Sequence, residues 1–427
     1  MLTDVTRCAL LSLVESASDV VIPRHFSLSR SRYGIAYYDM ERDRPITEVV
    51  TFASAVTALQ ADPVICAVYG LDNAHRLAIQ FVYNTCRLLD SGADIPTAFE
   101  ATWTALVAET SDPDWRFAAV ANLYNFTYDG DVVELGHGVT IRGRSFDWLK
   151  ETLKWDQVDL DRLSEDWSGG GFPSPFVLVV VTSQPKAPDN FILASDGDAY
   201  PLAARVLLAM RLHGGGHVHV GRMFLNRPAA FNVGVGGRSS TGWTIWRPSI
   251  EYKLTETMIP KIRQQVDTLM KVENYLHTSA RHIGLALRPF TSIYDRLMYQ
   301  GEDCVIDSIT ALEALWKLDS ELSFRLAFRT SSLLGKTDDD RELIFKTLRK
   351  YYNIRSKIVH GSTLKSEERA LVQNDEPLRD IVQRTLKAFV HLLANPTEWT
   401  VGRLARDPDL MLLHSERRSE IQNAMAV

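Results

Sequence analysis

Cysteine is scarce in this chain, with 4 among 427 residues: Cys8, Cys66, Cys86 and Cys304. They lie far apart and form no CxxC pair, which argues against a disulfide framework or a cysteine zinc site and fits reduced thiols in a cytoplasm. No apolar run approaches the roughly 18 residues a membrane-spanning helix needs. The longest, residues 176–181, is strand-sized. The start, MLTDVTRCALLSLVES, lacks the basic segment and small-residue cleavage site of a secretory signal. A cytoplasmic protein with no membrane partner is expected. There is no internal repeat and no low-complexity segment. Positive charge is not in excess either: a net charge of −6 excludes a globally basic nucleic-acid binder. What remains is ordinary globular composition, 45% hydrophobic and 23% charged. Its length predicts two or three domains.

The patterning predicts an α+β chain: a mixed and β-meander N-terminal part, then a C-terminal all-α bundle. Residues 1–115 read as a mixed region of short strands and helices. Helices are predicted over 51–60, 74–89 and 95–107, the last opened by Pro96. Residues 116–253 read as a β-rich α+β domain. A strand from Phe126, an Asp129-Gly130 turn and a second strand suggest a hairpin, which 139–142 continues. Further strands are predicted at 176–182, 218–224, 231–235 and 243–245, with a helix over 202–212 and an exposed loop over 168–175. Residues 254–400 read as a helical bundle. Its helices are expected over 258–285, which Pro289 ends, and over 302–316, 320–333, 339–359 and 376–394. Residues 401–427 are left as a tail.

The most informative stretch is IFKTLRKYYNIRSKIVHGST, residues 344–363. Ile344, Phe345, Leu348, Tyr351, Tyr352, Ile354 and Ile358 recur at three- and four-residue steps, as on an amphipathic helix. Gly361 suits the left-handed conformation that follows a last helical turn. In that turn stand Arg355 and His360, five residues apart and so about 140° apart around the axis. Arginine is a fork-shaped phosphate binder, and histidine titrates near neutrality. The negative end of the helix dipole favours the imidazolium. An anion clamp beside a proton donor and acceptor is the minimum equipment for cleaving a phosphodiester without metal. Between residues 341 and 365, seven cations (Arg341, Lys346, Arg349, Lys350, Arg355, Lys357, Lys365) face one carboxylate, Glu342. Such a patch on an acidic body would steer RNA to one place.

The run Arg355-Ser356-Lys357-Ile358-Val359-His360 fits the R-x4-6-H signature of HEPN domains. With the upstream IDSITALEALW and ELSFRLAFRTSSLLG, the wording YNIRSKIVHGS resembles the Apea-like branch of that superfamily, over roughly residues 300–400. The resemblance implies a C-terminal HEPN helical bundle and a metal-independent endoribonuclease. Its setting would be prokaryotic antiviral defence or abortive infection, with RNA as partner and no metal or cofactor. It also implies a homodimer through the bundle. Arg355 and His360 would be catalytic, with Ser356 and Lys357 positioning; Ser356 stands where active members often carry Asn, Asp or His. Lys346, Arg349, Lys350 and Tyr352 would touch RNA. Arg325 and Arg329 would support the phosphate pocket, against the plainer reading of an i,i+4 pair between Glu321 and Arg325. Glu313 would pair with one of these arginines or orient His360. The alternative function is an inactive RNA-binding or dimerisation scaffold.

Two other motifs read as structural. His213, His217 and His219 surround three glycines, and no Cys or acidic residue stands near to complete a metal tetrahedron. Leu334-Gly335-Lys336-Thr337 ends like a phosphate loop, but Thr330 stands where that motif needs Gly, so an inter-helix turn is expected. Of Tyr351 and Tyr352, at least one is expected in the core.

Overall fold

The computed structural model describes residues 2–21, 46–90, 92–153, 163–164, 174–186, 199–226, 251–295, 301–318, 320–395 and 408–425. The chain is mixed α+β, mostly helical, with one five-stranded antiparallel sheet. No single helix among the described residues is long and apolar enough to cross a membrane.

The N-terminal part is helical throughout its described residues: α1 (Asp4–Val21), α2 (Phe52–Ala61), α3 (Pro63–Tyr69), α4 (Ala74–Asp90) and α5 (Ile95–Ser111). Among the described residues before 114, none of the expected strands occurs. The predicted helices do, and Asp94 caps α5 by accepting from Thr97 N ahead of Pro96. Asp62 separates α2 from α3. One of its oxygens caps α3 at Val64 N, 3.0 Å, and the other accepts from Thr3 N and Thr6 Oγ1 at 2.9 and 2.8 Å. Burial alone would raise this carboxyl, yet these hydrogen bonds hold it below its ordinary value.

The sheet is built by β1 (Asp114–Tyr124), β3 (Val132–Gly136), β4 (Val139–Gly143), β5 (Phe176–Pro185) and β6 (His219–Asn226), in the order β3-β4-β5-β1-β6. Its central strand, β1, escapes the sequence reading. Ala118 and Val120 are buried on one face, Ala119, Ala121 and Leu123 on the other, so the run DWRFAAVANLY shows no alternation and is rich in a poor strand former. The predicted hairpin about Asp129-Gly130 does not form. Instead β2 (Phe126–Tyr128) pairs in parallel with β7 (Tyr252–Leu254), and β3 pairs with β4. The two-residue turn is His137-Gly138, with φ of 53° and 76°, the left-handed pair that suits a twisted hairpin. A Cβ on Gly138 would lie 2.1 Å from Val181 O. Between β4 and β5, α6 (Phe146–Leu153) sends Leu149 to the small core of the outer face. The strands expected at 231–235 and 243–245, and residues 168–173 of the expected loop, lie outside the described residues.

Helix α7 (Ala199–His213) packs on the inner sheet face. Then follow α8 (Ile259–His277), α9 (Arg281–Asp295), α10 (Gly301–Trp316), α11 (Leu322–Leu334), α12 (Asp338–Val359), α13 (Ser366–Gln373) and α14 (Glu376–Ala394). The single helix expected over 258–285 is two, broken at Thr278–Ala280, and Pro289 lies inside α9 rather than ending a helix. The 401–427 tail is also ordered where described. Helices α15 (Pro408–Leu413) and α16 (Ser415–Met425) dock on the bundle, burying Leu412 and Ile421.

One continuous core crosses residues 253/254, from Ala119 to Ile421. A buried polar seam joins the two sides. Arg211 of α7, 1% exposed, donates to Asp295 of α9 at 2.5 Å. Arg379 of α14 binds Asp375 at 3.0 Å and His217 at 2.7 Å, while Gln383 donates to the carbonyl of Gly214 at 3.0 Å. Buried charges are tolerable only when paired in this way.

Candidate active site at the end of helix α12

Helix α12 is delimited by its own residues. Thr337 accepts from Asp340 N while Asp340 accepts from Thr337 N, a capping box that turns the Leu334–Thr337 motif into the inter-helix turn expected. At the other end Gly361 takes φ 68°. Ser362 N donates to Lys357 O at 2.8 Å and Gly361 N to Ile358 O at 3.0 Å. This is the double hydrogen bond of a glycine-terminated helix. Buried Ile344, Leu348, Tyr351 and Ile354 anchor one face of α12. Tyr351 is core, its hydroxyl donating to Asn374 O at 3.0 Å.

His360 is the residue after the last turn, with φ −90° and ψ 6°, and its side chain is exposed. That backbone lies in the sparsely used bridge region where active-site residues recur. One and a half turns earlier Arg355 is half-buried and reaches Glu313 of α10, Nη2 to Oε2, at 3.4 Å. The pair is under-used. Arg355 Nε and Glu313 Oε1 are both buried without a hydrogen-bond partner among the described residues. Tyr352 sits beside them. Burial first, and then the Glu313 carboxylate, push its phenol above the ordinary value, with Arg355 opposing. Arg355, Glu313 and Tyr352 therefore converge, and His360 stands at the open end of the same helix.

The other expected site residues divide. Ser356 is half-buried, and its carbonyl accepts from His360 N at 3.1 Å, so it shapes the turn that carries the histidine. Lys357 donates to Glu368 of α13 at 2.6 Å. Lys346 pairs with Glu342 and Arg341 with Asp338, one turn away in each case. Four of the seven cations between 341 and 365 are thus matched by carboxylates, and the strongly basic patch counted along the sequence shrinks to Arg349, Lys350 and Lys365. Lys350 and Lys365 are exposed and Arg349 is half-buried.

Arg325 and Arg329 do not join Glu313. Arg325 makes the i,i+4 pair with Glu321, 3.3 Å, and approaches Asp409 at 3.9 Å. Arg329 is buried and clasps Asp409 through Nε and Nη2 at 2.7 and 2.9 Å. Its Nη1 donates to Trp316 O at 3.2 Å. These arginines hold α15 onto α11, a role that adjacent sequence did not disclose because Asp409 lies 80 residues on. Glu313 was legible as a carboxylate in an apolar setting, but its partner is Arg355. Glu368 was not singled out.

The histidine trio disperses too. His213 faces Gln265 at 3.3 Å, and His217 belongs to the Arg379 seam. Among the described residues no group of three His, Cys, Asp or Glu side chains stands close enough to hold a metal ion. All four cysteines are free thiols. No family model, no curated protein and no solved structure matches this chain.

Proposed function

We propose that the chain is a metal-independent endoribonuclease of HEPN type, Apea-like, acting in prokaryotic antiviral defence or abortive infection as a toxin-like enzyme. One observation carries the reading: a single helix end presents an arginine with an unused, buried Nε–H and an exposed histidine in a bridge-region turn. In this reading the RNA 2′-hydroxyl attacks the adjacent phosphorus, and the bond to the 5′-oxygen breaks. The products are a 2′,3′-cyclic phosphate and a 5′-hydroxyl. His360 takes or gives the proton. Arg355 binds the phosphate and balances the charge that grows in the transition state. Glu313 positions Arg355, and Tyr352, Arg349 and Lys350 line the approach of the strand.

One chain supplies one such histidine, whereas an acid and a base are both needed across the scissile bond. Pairing two bundles about a two-fold axis supplies both. A homodimer through residues 256–400, with both His360 side chains on one groove, is therefore part of the proposal. Sedimentation of a monomer that still cleaves RNA would refute it.

The test is cleavage of a defined RNA by the wild type, Arg355→Ala and His360→Ala. Either substitution should slow cleavage at least ~100-fold, the usual worth of a positioned acid–base group. Cleavage should persist in EDTA and leave cyclic phosphate ends. Wild-type rates in His360→Ala would sink the proposal.

A second reading has its own observation. Glu313 and Glu368 already engage Arg355 and Lys357, as in a module that binds RNA or a second copy without cutting. It predicts that the wild type binds RNA but leaves it intact, and that Glu313→Gln tightens binding.

A further inference from the structure

A cavity of about 500 Å³ opens at the opposite end of α12 from His360, between α8, α11, α14 and α16. The 22 residues of α12 put the two ends about 33 Å apart. Among the described residues, four cations line the cavity, Lys261, Lys336, Arg384 and Lys387, and no carboxylate does. Asp380 balances one of them, pairing with Arg384 at 2.9 Å. Burial lowers the pKa of Lys387, and Lys261 and Arg384 push it the same way while Asp380 opposes. Like charges gathered in a partly desolvated pocket are what an anion relieves.

A second, independent observation points into the same space. Gln265 is 8% exposed and lines the cavity. Its Oε1 lies 3.3 Å from Nε2 of His213, so the histidine N–H donates and the amide oxygen is used. Burial, and then Lys387, lower the His213 pKa to about 4, which keeps the ring neutral. That leaves Gln265 Nε2 buried with no acceptor among the described residues. An unmet buried donor is costly, and an acceptor on a ligand would satisfy it. Leu333, Leu334, Ala388 and Met425 form an apolar wall, and Gln264, Thr268, His391 and Gln422 complete the lining with polar groups. The wall is pre-formed, because Gln422 of α16 donates to Leu333 O and Gly335 O at 3.1 and 3.0 Å.

We propose that this cavity binds a nucleoside phosphate, its phosphates among the lysines and Arg384, its base against the apolar wall, and one acceptor on Gln265. The volume lies within the range of about 300–1,000 Å³ usual for small-molecule sites. A bare phosphate would satisfy the cations and leave the apolar wall unused. The assignment is independent of the nuclease reading, since the cavity shares no residue with the Arg355–His360 end.

The test is calorimetric titration of the full-length chain with ATP, ADP, AMP, pyrophosphate and inorganic phosphate. One saturable nucleotide site is expected, with affinity rising with phosphate count. The double variant Lys261→Gln/Lys336→Gln should weaken it at least ~10-fold through lost charge-assisted contacts. Gln265→Met should weaken it while leaving the unliganded protein near wild-type stability, because removal of a buried unmet donor offsets loss of the His213 hydrogen bond. His360→Ala should bind as the wild type does, whatever it does to RNA cleavage. Absence of nucleotide binding at millimolar concentration would overturn the proposal. So would inorganic phosphate or pyrophosphate binding as tightly as ATP, or cavity variants that bind unchanged.

Discussion

Two arginines in the helical bundle meet carboxylates, and they do so in opposite ways. Arg329 is saturated: all three of its nitrogens are engaged, two of them with Asp409 at 2.7 and 2.9 Å and the third with Trp316 O. The Arg329 guanidinium holds the Asp409 carboxyl below its ordinary value against some burial. Arg355 makes one long contact of 3.4 Å with Glu313 and leaves its Nε buried with no partner among the described residues. Both pairs carry the same charges, so charge alone does not separate them. The difference is hydrogen-bond satisfaction. A satisfied buried pair fastens structure, whereas an unsatisfied one leaves capacity for a ligand or a transition state.

The comparison breaks most readily at Asp409. Asp409→Ala leaves a buried guanidinium without its carboxylate and should cost about 3 kcal/mol, seen as a lower denaturant midpoint and release of α15. If the proposed nuclease site holds, Arg355→Ala should do the reverse, cutting RNA cleavage at least ~100-fold, or about 2.7 kcal/mol in the barrier, with little change in that midpoint. If Arg355→Ala unfolds the protein as readily as Asp409→Ala does, the distinction fails.

Acid separates the arginine pairs from the histidines. The hydrogen bonds from Arg329 hold the Asp409 carboxyl below its ordinary value, so its pairing survives mild acidification. His282 and His213 do not share that protection. Burial first, with Lys317 near His282 and Lys387 near His213, brings both down from 6.5 to about 4. Their neutral forms favour the fold in full above about pH 6.5, and that contribution is lost as pH falls from there through about 4. A stability loss of about 3 kcal/mol for His282 is expected over this window, and His282→Gln should flatten the midpoint-versus-pH curve. A curve that stays flat in the wild type would contradict the burial argument.

The smallest effect is at Gly361. Nothing lies within 4 Å of a Cβ placed there, so Gly361→Ala meets only the left-handed backbone at φ 68°. A cost of about 1 kcal/mol is expected. If His360 is catalytic, the re-aimed turn should also slow cleavage more than it lowers stability, which separates the two roles of this helix end.

Most of α12 was legible in its own residues. The three- and four-residue apolar steps and Gly361 at the C-terminal end need no distant segment, and the same holds for most bundle helices. The caps at Thr337 and Asp94 are equally local, but only the structure drew them out. What adjacent residues could not encode were pairings set by packing. Strand β1 is buried on both faces by elements far along the chain, so it carries no period. Phe126–Tyr128 pairs with Tyr252–Leu254, which follow more than a hundred residues later. Seven cations between 341 and 365 look like one basic patch until folding brings Glu313 to Arg355, 42 residues away, and Glu368 to Lys357. Local hydrogen bonds and periodicity were the sequence's own. Which charge is cancelled, which polar atom is left idle and where a cavity opens were decided only by tertiary structure, because each depends on residues that meet in space and are separate along the chain.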